Sequence, residues 1–321
     1  MRMLARLFDP MVRLLLLAIA FAVILPATGD ARVVAGWISD GAIFLLFLLN
    51  GLRLSRSDVA GGLRNLRVML PLVAWCYGAM ALAGLGLWHV TASVLPPMLA
   101  LGFLFLGTLS STVQSATAYT SMAGGNGATS VVAAALLNIL GVFVTAPLFS
   151  VLGGGGAVTF GSEALIRIAL ILLLPFAIGQ MFQVRMARWT AANRPLIGWM
   201  DRIAIGIAVY VAMSGAVAEG LGTRVDPAAW GWLGAGVAVF LLFGFGGAWT
   251  AGGALRLPRG DRIAFLFAGA QKSTAMGVPL ASILFTPAMA GLVIVPLLAY
   301  HLLQLVVSAP IAQRLTRQAL P

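Results

Sequence analysis

Charge is scarce in this chain, and lysine is all but missing. Of its 321 residues only 9% are charged, against about 25% in an ordinary soluble domain. The 20 basic residues include one lysine, Lys272. A globular chain so poor in charge has no polar coat to turn toward water. With 61% of residues hydrophobic and a mean hydropathy of +1.02, its outer surface falls to lipid. Cysteine is equally sparse. Cys76 stands alone, which excludes an internal disulfide and a cysteine-based metal centre, and it reads as a small packed hydrophobe. His89 and His301 lie far apart and form no i, i+4 pair, so no zinc site and no other metal or cofactor is expected. The net charge of +11 invites a nucleic-acid reading. Placement argues against it, because the arginines are scattered between apolar runs rather than gathered on one polar face.

What the chain has in abundance is long apolar runs. Stretches of about 17–25 such residues match a hydrocarbon core roughly 30 Å thick. They place spans near 11–28, 34–52, 68–88, 94–123, 127–150, 164–183, 202–219, 229–251, 263–286 and 289–309. The first thirty residues would also suit a cleaved leader, but the repeat described next needs a retained first span. With both termini cytoplasmic, only Arg32, Arg167 and Arg224 fall on outer segments, and all other arginines fall inside. That is the positive-inside pattern. The expectation is an all-α polytopic protein of the plasma membrane, the bacterial inner membrane, with lipid as its standing partner. The sequence carries no signal for oligomeric state.

The two halves resemble each other. Gln114-Ser115-Ala116-Thr117-Ala118 in the fourth span matches Gln271-Lys272-Ser273-Thr274-Ala275 in the ninth. NILGVFVTAPL (138–148) in the fifth matches HLLQLVVSAPI (301–311) in the tenth. Each half then holds five spans, an odd number, so the second half is inverted relative to the first. The expected organisation is a first repeat over 1–150, a Gly-rich connection over 151–162 and a second repeat over 163–321. Gly153 to Gly156 reads as a flexible link.

Polar residues crowd the middle of the fourth and ninth spans. Thr112, Gln114, Ser115 and Thr117 lie in one; Gln271, Lys272, Ser273 and Thr274 lie in the other, followed by Gly277 and Pro279. A proline removes a backbone donor and a glycine loosens the chain, so the ninth helix is expected to break or kink at Gly277 and Pro279. Irregular backbone at membrane depth is tolerated only inside protein or beside an aqueous cavity. Two such breaks would bring free helix ends together, amides attracting anions and carbonyls attracting cations. The plainer alternative is that the hydroxyls bond back to their own helices.

Lys272 is the sharpest candidate. An ionisable side chain at membrane depth costs roughly 2.5–3.5 kcal/mol on insertion scales and marks a transport pathway by default. Snorkelling to an interface is the alternative. Unlike arginine, lysine can release its proton. Asp40 and Glu219 are the nearest carboxylates, and both belong nearer the outer face. An unpaired cation in a polar cavity suits binding an anion, or alternating with a proton or metal cation. Asn126 reads as the cap of the fifth span, with Ser130 one turn on.

At these residues the chain resembles the bile acid:sodium symporter (SBF-like) family. The likeness rests on FLLNGLRLS (47–55), STVQSATAYTSMAGGN (111–126), NILGVFVTAP and AGAQKSTAMGVPLA (268–281). It implies a panel domain from spans 1, 2, 6 and 7, a core domain from spans 3–5 and 8–10, and spans 4 and 9 unwound where they cross. It implies alternating access with an organic anion entering between the domains. Sodium-coupled members carry a glutamate four residues before the ninth-span glutamine, where this chain has Phe267. Of the fifth-span hydroxyls that help hold sodium in such members, one has its counterpart in Ser130, while the next turn offers Ala134 instead. Lys272 stands where that group has an asparagine, which places the chain nearer a subgroup with a Q-K-S or K-K-S motif and lets Lys272 stand in for one bound cation.

The function expected is secondary active transport of a small organic anion, coupled to sodium or protons. The contrasting expectation is a non-transporting membrane regulator or structural partner affecting ion homeostasis. An enzyme is not expected, because the spans hold no Ser/His pair, carboxylate pair or His-Glu metal motif.

Overall fold

The computed structural model of the chain describes residues 10–54, 65–153, 166–220 and 226–317, and every regular element in them is helical. They are α1 (Pro10–Ile24), α2 (Gly29–Arg53), α3 (Leu66–Thr91), α4 (Pro97–Thr108), α5 (Gln114–Met122), α6 (Gly127–Leu152) and α7 (Ile166–Ala192). There follow α8 (Arg194–Ala218), α9 (Pro227–Ala254), α10 (Arg259–Ala270), α11 (Thr274–Leu284), α12 (Pro287–Val293) and α13 (Val295–Arg317).

Among the described residues, seven helical segments are long and apolar enough to cross a bilayer: α2, α3, α6, α7, α8, α9 and the run Pro287–Arg317. The chain is a polytopic α-helical membrane protein. α1 and α4 are apolar but shorter. Large side chains such as Phe21, Ile24, Trp37 and Val90 stand exposed on these helices, as lipid-facing positions do. Proline opens α4 and α12, where its missing N–H leaves no bond unmade. Gly124 turns the chain from α5 toward α6 with φ +69°, a left-handed conformation that favours glycine.

Two helices run past the limits read from hydropathy. α7 continues to Ala192 and α8 starts at Arg194, whereas apolarity alone ends one span at 183 and begins the next at 202. Arginine, glutamine, methionine and alanine are strong helix formers, so the helices persist after the apolar run stops. Most of the Gly-rich connection expected over 151–162 lies outside the described residues, as do Arg2, Arg6, Arg56, Arg64 and Arg224.

The chain divides into two compact units. One comprises α1, α2, α7, α8, α12 and α11 from Gly277 onward. Its helices approach closely through glycine: a Cβ on Gly51 of α2 would lie 2.3 Å from the Phe176 carbonyl, and one on Gly179 of α7 would lie 2.3 Å from the Leu48 carbonyl. It holds three ion pairs among the described residues. Arg53 meets Asp201 at 2.6 Å and also donates to the Asn50 side chain, while Asp40 and Glu219 are taken by Arg167 at 3.0 Å and Arg32 at 3.9 Å.

The other unit comprises α3–α6, α9, α10, the first turn of α11, and α13. Here α3 and α4 meet at Gly84 and Gly107, where an added Cβ would strike the Phe103 and Met80 carbonyls at 2.5 and 2.7 Å. α3 widens into a π turn at Trp75–Ala79 and α9 does so at Phe243–Gly247. The Trp75 and Phe243 rings stack at 5.2 Å, so the two wide turns face each other. Such turns free backbone groups from the regular ladder and recur at functional sites.

Candidate functional site

Two helix interruptions meet inside this second unit. The first runs over residues 109–113, between α4 and α5; the second runs over 271–273, between α10 and α11. The second break therefore precedes Gly277 and Pro279, which lie within α11 and are buried. That corrects the expectation drawn from proline. One missing amide in the second turn costs a single intrahelical bond, and the helix carries on through it.

The breaks hydrogen-bond to each other, the Ser273 N–H donating to the Ser110 carbonyl at 3.0 Å. A helix that stops leaves its last carbonyls without amide partners, and both helices ending here find other donors. At the end of α4 the Thr108 hydroxyl donates to the Phe105 carbonyl at 2.9 Å, and the Leu109 N–H closes on Leu106. The Lys272 ammonium donates to the carbonyls of Gly107 at 2.9 Å and Leu109 at 2.7 Å, and reaches that of Cys76 at 3.4 Å. At the end of α10 the Tyr300 hydroxyl donates to the Ala270 carbonyl at 2.5 Å, and the Cys76 thiol faces Ala268 at 3.8 Å. Cys76 lies in the π turn of α3, whose widened ladder leaves a carbonyl to spare.

Gln271 holds the second break against the first. Its Oε1 accepts from the hydroxyls of Thr112 and Ser115, both at 2.6 Å, and its Nε2 donates to Ser308 on α13 at 3.1 Å. Gln304, one turn before Ser308, clamps the peptide of Lys272: the Lys272 N–H donates to Oε1 at 2.8 Å, and Nε2 donates to the Lys272 carbonyl at 3.0 Å. The same Nε2 lies 2.9 Å from His301 Nδ1. Ser273 caps α11, its hydroxyl accepting from the Met276 N–H at 3.3 Å, and Thr274 opens that helix, buried.

The other candidates divide by depth. Gln114 opens α5 and is exposed, with Ser115 and Thr117 half-buried beside it. Gln114 and Gln271 are thus equivalent in sequence and unlike in setting, since Gln271 is fully buried. Ser130 joins Thr117 and Thr120 in a hydroxyl cluster, with oxygens 3.5 and 3.2 Å away. Asn126 caps α6, its Oδ1 accepting from the Thr129 N–H at 3.1 Å, and it donates to Asp261 at 2.9 Å. Phe267 is fully buried and stacks on Tyr119, with 5.8 Å between ring centroids.

Sequence reasoning passed over Gln304, Ser308 and Tyr300. A glutamine and a serine one turn apart within HLLQLVVSAPI are the signal that could mark them. It also passed over Asp201, a carboxylate inside an apolar helix.

Set beside known proteins, residues 9–317 match the model of the SBF-like CPA transporter family, very nearly the whole chain. The chain belongs to that family. Two relatives agree in extent. "Uncharacterized protein PA2026" of Pseudomonas aeruginosa is 36% identical over 307 residues, which covers 95% of this chain and 92% of the relative. "Putative symporter YfeH" of Escherichia coli K12 is 35% identical over 321 residues, covering 98% of this chain and 94% of its own. In this SBF-like chain the paired breaks bring backbone carbonyls and amides freed from two helices side by side.

Proposed function

We propose that this SBF-like protein is a secondary active transporter that moves a small organic anion by alternating access, coupled to sodium or protons. The observation that carries the reading is the pair of helix interruptions bonded through Ser273 and Ser110. Broken helices of that kind are how transporter folds place bare helix ends at membrane depth. On this reading the chain is a five-plus-five inverted repeat of ten crossings with both termini cytoplasmic. Two of those crossings are the interrupted pairs α4–α5 and α10–α11. α1, α2, α7 and α8 serve as panel, and the crossings nearest the breaks serve as core. The Q-K-S segment marks its subgroup.

Roles follow depth. Gln114, Ser115 and Thr117 sit on the first turns of α5, at least partly open, where amide dipoles favour an anionic group. Thr112, Gln271, Lys272, Ser273 and Thr274 hold the crossing in shape from within. Asn126 and Ser130 fix the start of α6 beside it.

Purified protein in proteoliposomes, given imposed sodium or proton gradients and a panel of organic anions, tests this. Gradient-driven uptake of at least one anion is expected, falling severalfold in Gln114→Ala and Ser115→Ala. Uptake unaffected by both substitutions would remove the α5 face from the site. No uptake under either gradient would favour the non-transporting reading.

A further inference from the structure

Lys272 is fully buried, yet among the described residues no carboxylate pairs with it. What surrounds its amine is oxygen of one kind: the backbone carbonyls of Leu109, Gly107 and Cys76, at 2.7, 2.9 and 3.4 Å. Three acceptors converge on one nitrogen. An ammonium has three protons and no lone pair, so it satisfies all of them, whereas a neutral amine would turn its lone pair on one. Gly107 and Leu109 lie at the carbonyl end of α4, the negative pole of that helix. A cluster of carbonyls at a helix C-terminus is the environment that membrane proteins use to hold a dehydrated monovalent cation. The Lys272 backbone is fixed as firmly as its head, since Gln304 takes both its N–H and its carbonyl.

We propose that the carbonyls of Cys76, Gly107 and Leu109 form a monovalent-cation site that the chain fills with its own ammonium. Lys272 is then a resident cation. It neutralises the broken end of α4 without an ion that dissociates, it keeps its charge at the crossing throughout, and it does not touch a transported anion. Any coupling ion binds elsewhere. This goes beyond the transport reading and does not depend on which solute moves.

Two measurements on the whole protein test it, and neither reads uptake. Lys272 is the only lysine, so modification by a small acylating reagent reports on one side chain once the modified peptide is found by mass. In the native protein Lys272 stays unmodified, and it becomes modified after unfolding in detergent. Modification of the native protein at the unfolded rate overturns the proposal, because the amine is then open to a cavity. The second measurement removes the resident. Lys272→Ala lowers the apparent Tm by about 5 °C or more. Added ammonium or methylammonium restores part of that loss, whereas tetramethylammonium, bulkier and without N–H donors, does not. An unchanged Tm, an equal response to all three cations, or the same ammonium response in the wild type overturns the proposal. If the alanine variant does not fold, the labelling of the unaltered chain decides alone.

Discussion

Two cations in this molecule, one half-buried and one fully buried, are answered in opposite ways. Arg53, on α2, meets the carboxylate of Asp201 at 2.6 Å. Lys272, in the break after α10, meets only backbone carbonyls. The difference follows from the state of the helices around them. Arg53 ends α2, but the carbonyls freed there at Gly51 and Leu54 are taken by the Gln180 side-chain amide at 2.6 and 3.0 Å, and Asp201 lies inside the intact helix α8, so the guanidinium is answered by a countercharge. Lys272 sits where helices have stopped and carbonyls are free, so the unsatisfied dipoles themselves serve. Residue choice fits each setting. The planar guanidinium forks toward a carboxylate, and the compact ammonium suits three converging acceptors.

The comparison breaks most sharply at the ion pair. Arg53→Ala leaves the Asp201 carboxylate, with a side chain only 12% exposed, without its partner. Stranding one half of a buried pair costs about 3–5 kcal/mol, which appears as a large fall in apparent Tm in detergent. Replacing both, as Arg53→Met with Asp201→Leu, recovers most of the loss, because a well-packed apolar pair carries no desolvation penalty. A double variant no more stable than the single one would show that the two groups do not act as a pair. At the break no such double exists, since the acceptors belong to the backbone and cannot be mutated away.

A smaller effect belongs to the clamp on Lys272. Gln304→Leu removes both bonds to the Lys272 peptide and strands an N–H and a carbonyl inside the unit. Interhelical side-chain hydrogen bonds in membranes are worth about 0.6–2 kcal/mol, so a loss of about 1–2 kcal/mol is expected, read again as apparent Tm. The informative readout is Lys272 labelling. Acylation of Lys272 in the native variant, absent in the wild type, would show that the clamp keeps the ammonium seated. Labelling that stays absent would show that the carbonyls alone suffice.

Much of this was legible in the sequence, for a physical reason. Apolar stretches are a property of composition along the chain, and the seven described helical segments long and apolar enough to cross a bilayer lie on such stretches. The crowding of Gln, Ser and Thr in two of them marked the interruptions, because polar groups at membrane depth need partners. The exact place of the second break was not legible: Pro279 suggested it, but what ends α10 is a set of outside partners that lie far away in sequence, the Tyr300 hydroxyl as donor, the Gln304 amide as donor and acceptor, and the Ser110 carbonyl as acceptor. For the same reason Lys272 looked like an unpaired cation. Its acceptors are backbone atoms, and backbone carbonyls carry no residue code. Asp201 is not singled out because hydropathy begins that span at 202, one residue after it, while helix propensity starts the helix at Arg194.

The smallest expected effect comes from a pair chemically identical to Arg53–Asp201. Arg167 and Asp40 meet at 3.0 Å in the same unit, with side chains 38% and 34% exposed. Geometry is as good as at the inner pair, with one guanidinium nitrogen donating to both carboxylate oxygens. Solvation differs. A partly wet pair gains little in a high dielectric and loses side-chain freedom, so exposed pairs are worth about 0–1 kcal/mol. Arg167→Ala should therefore leave the apparent Tm nearly unchanged, and raising the salt should erase what difference remains. A loss as large as that of Arg53→Ala would mean that this corner is drier than its exposure indicates. It would also mean that contact geometry, rather than access to water, sets the worth of an ion pair in this unit.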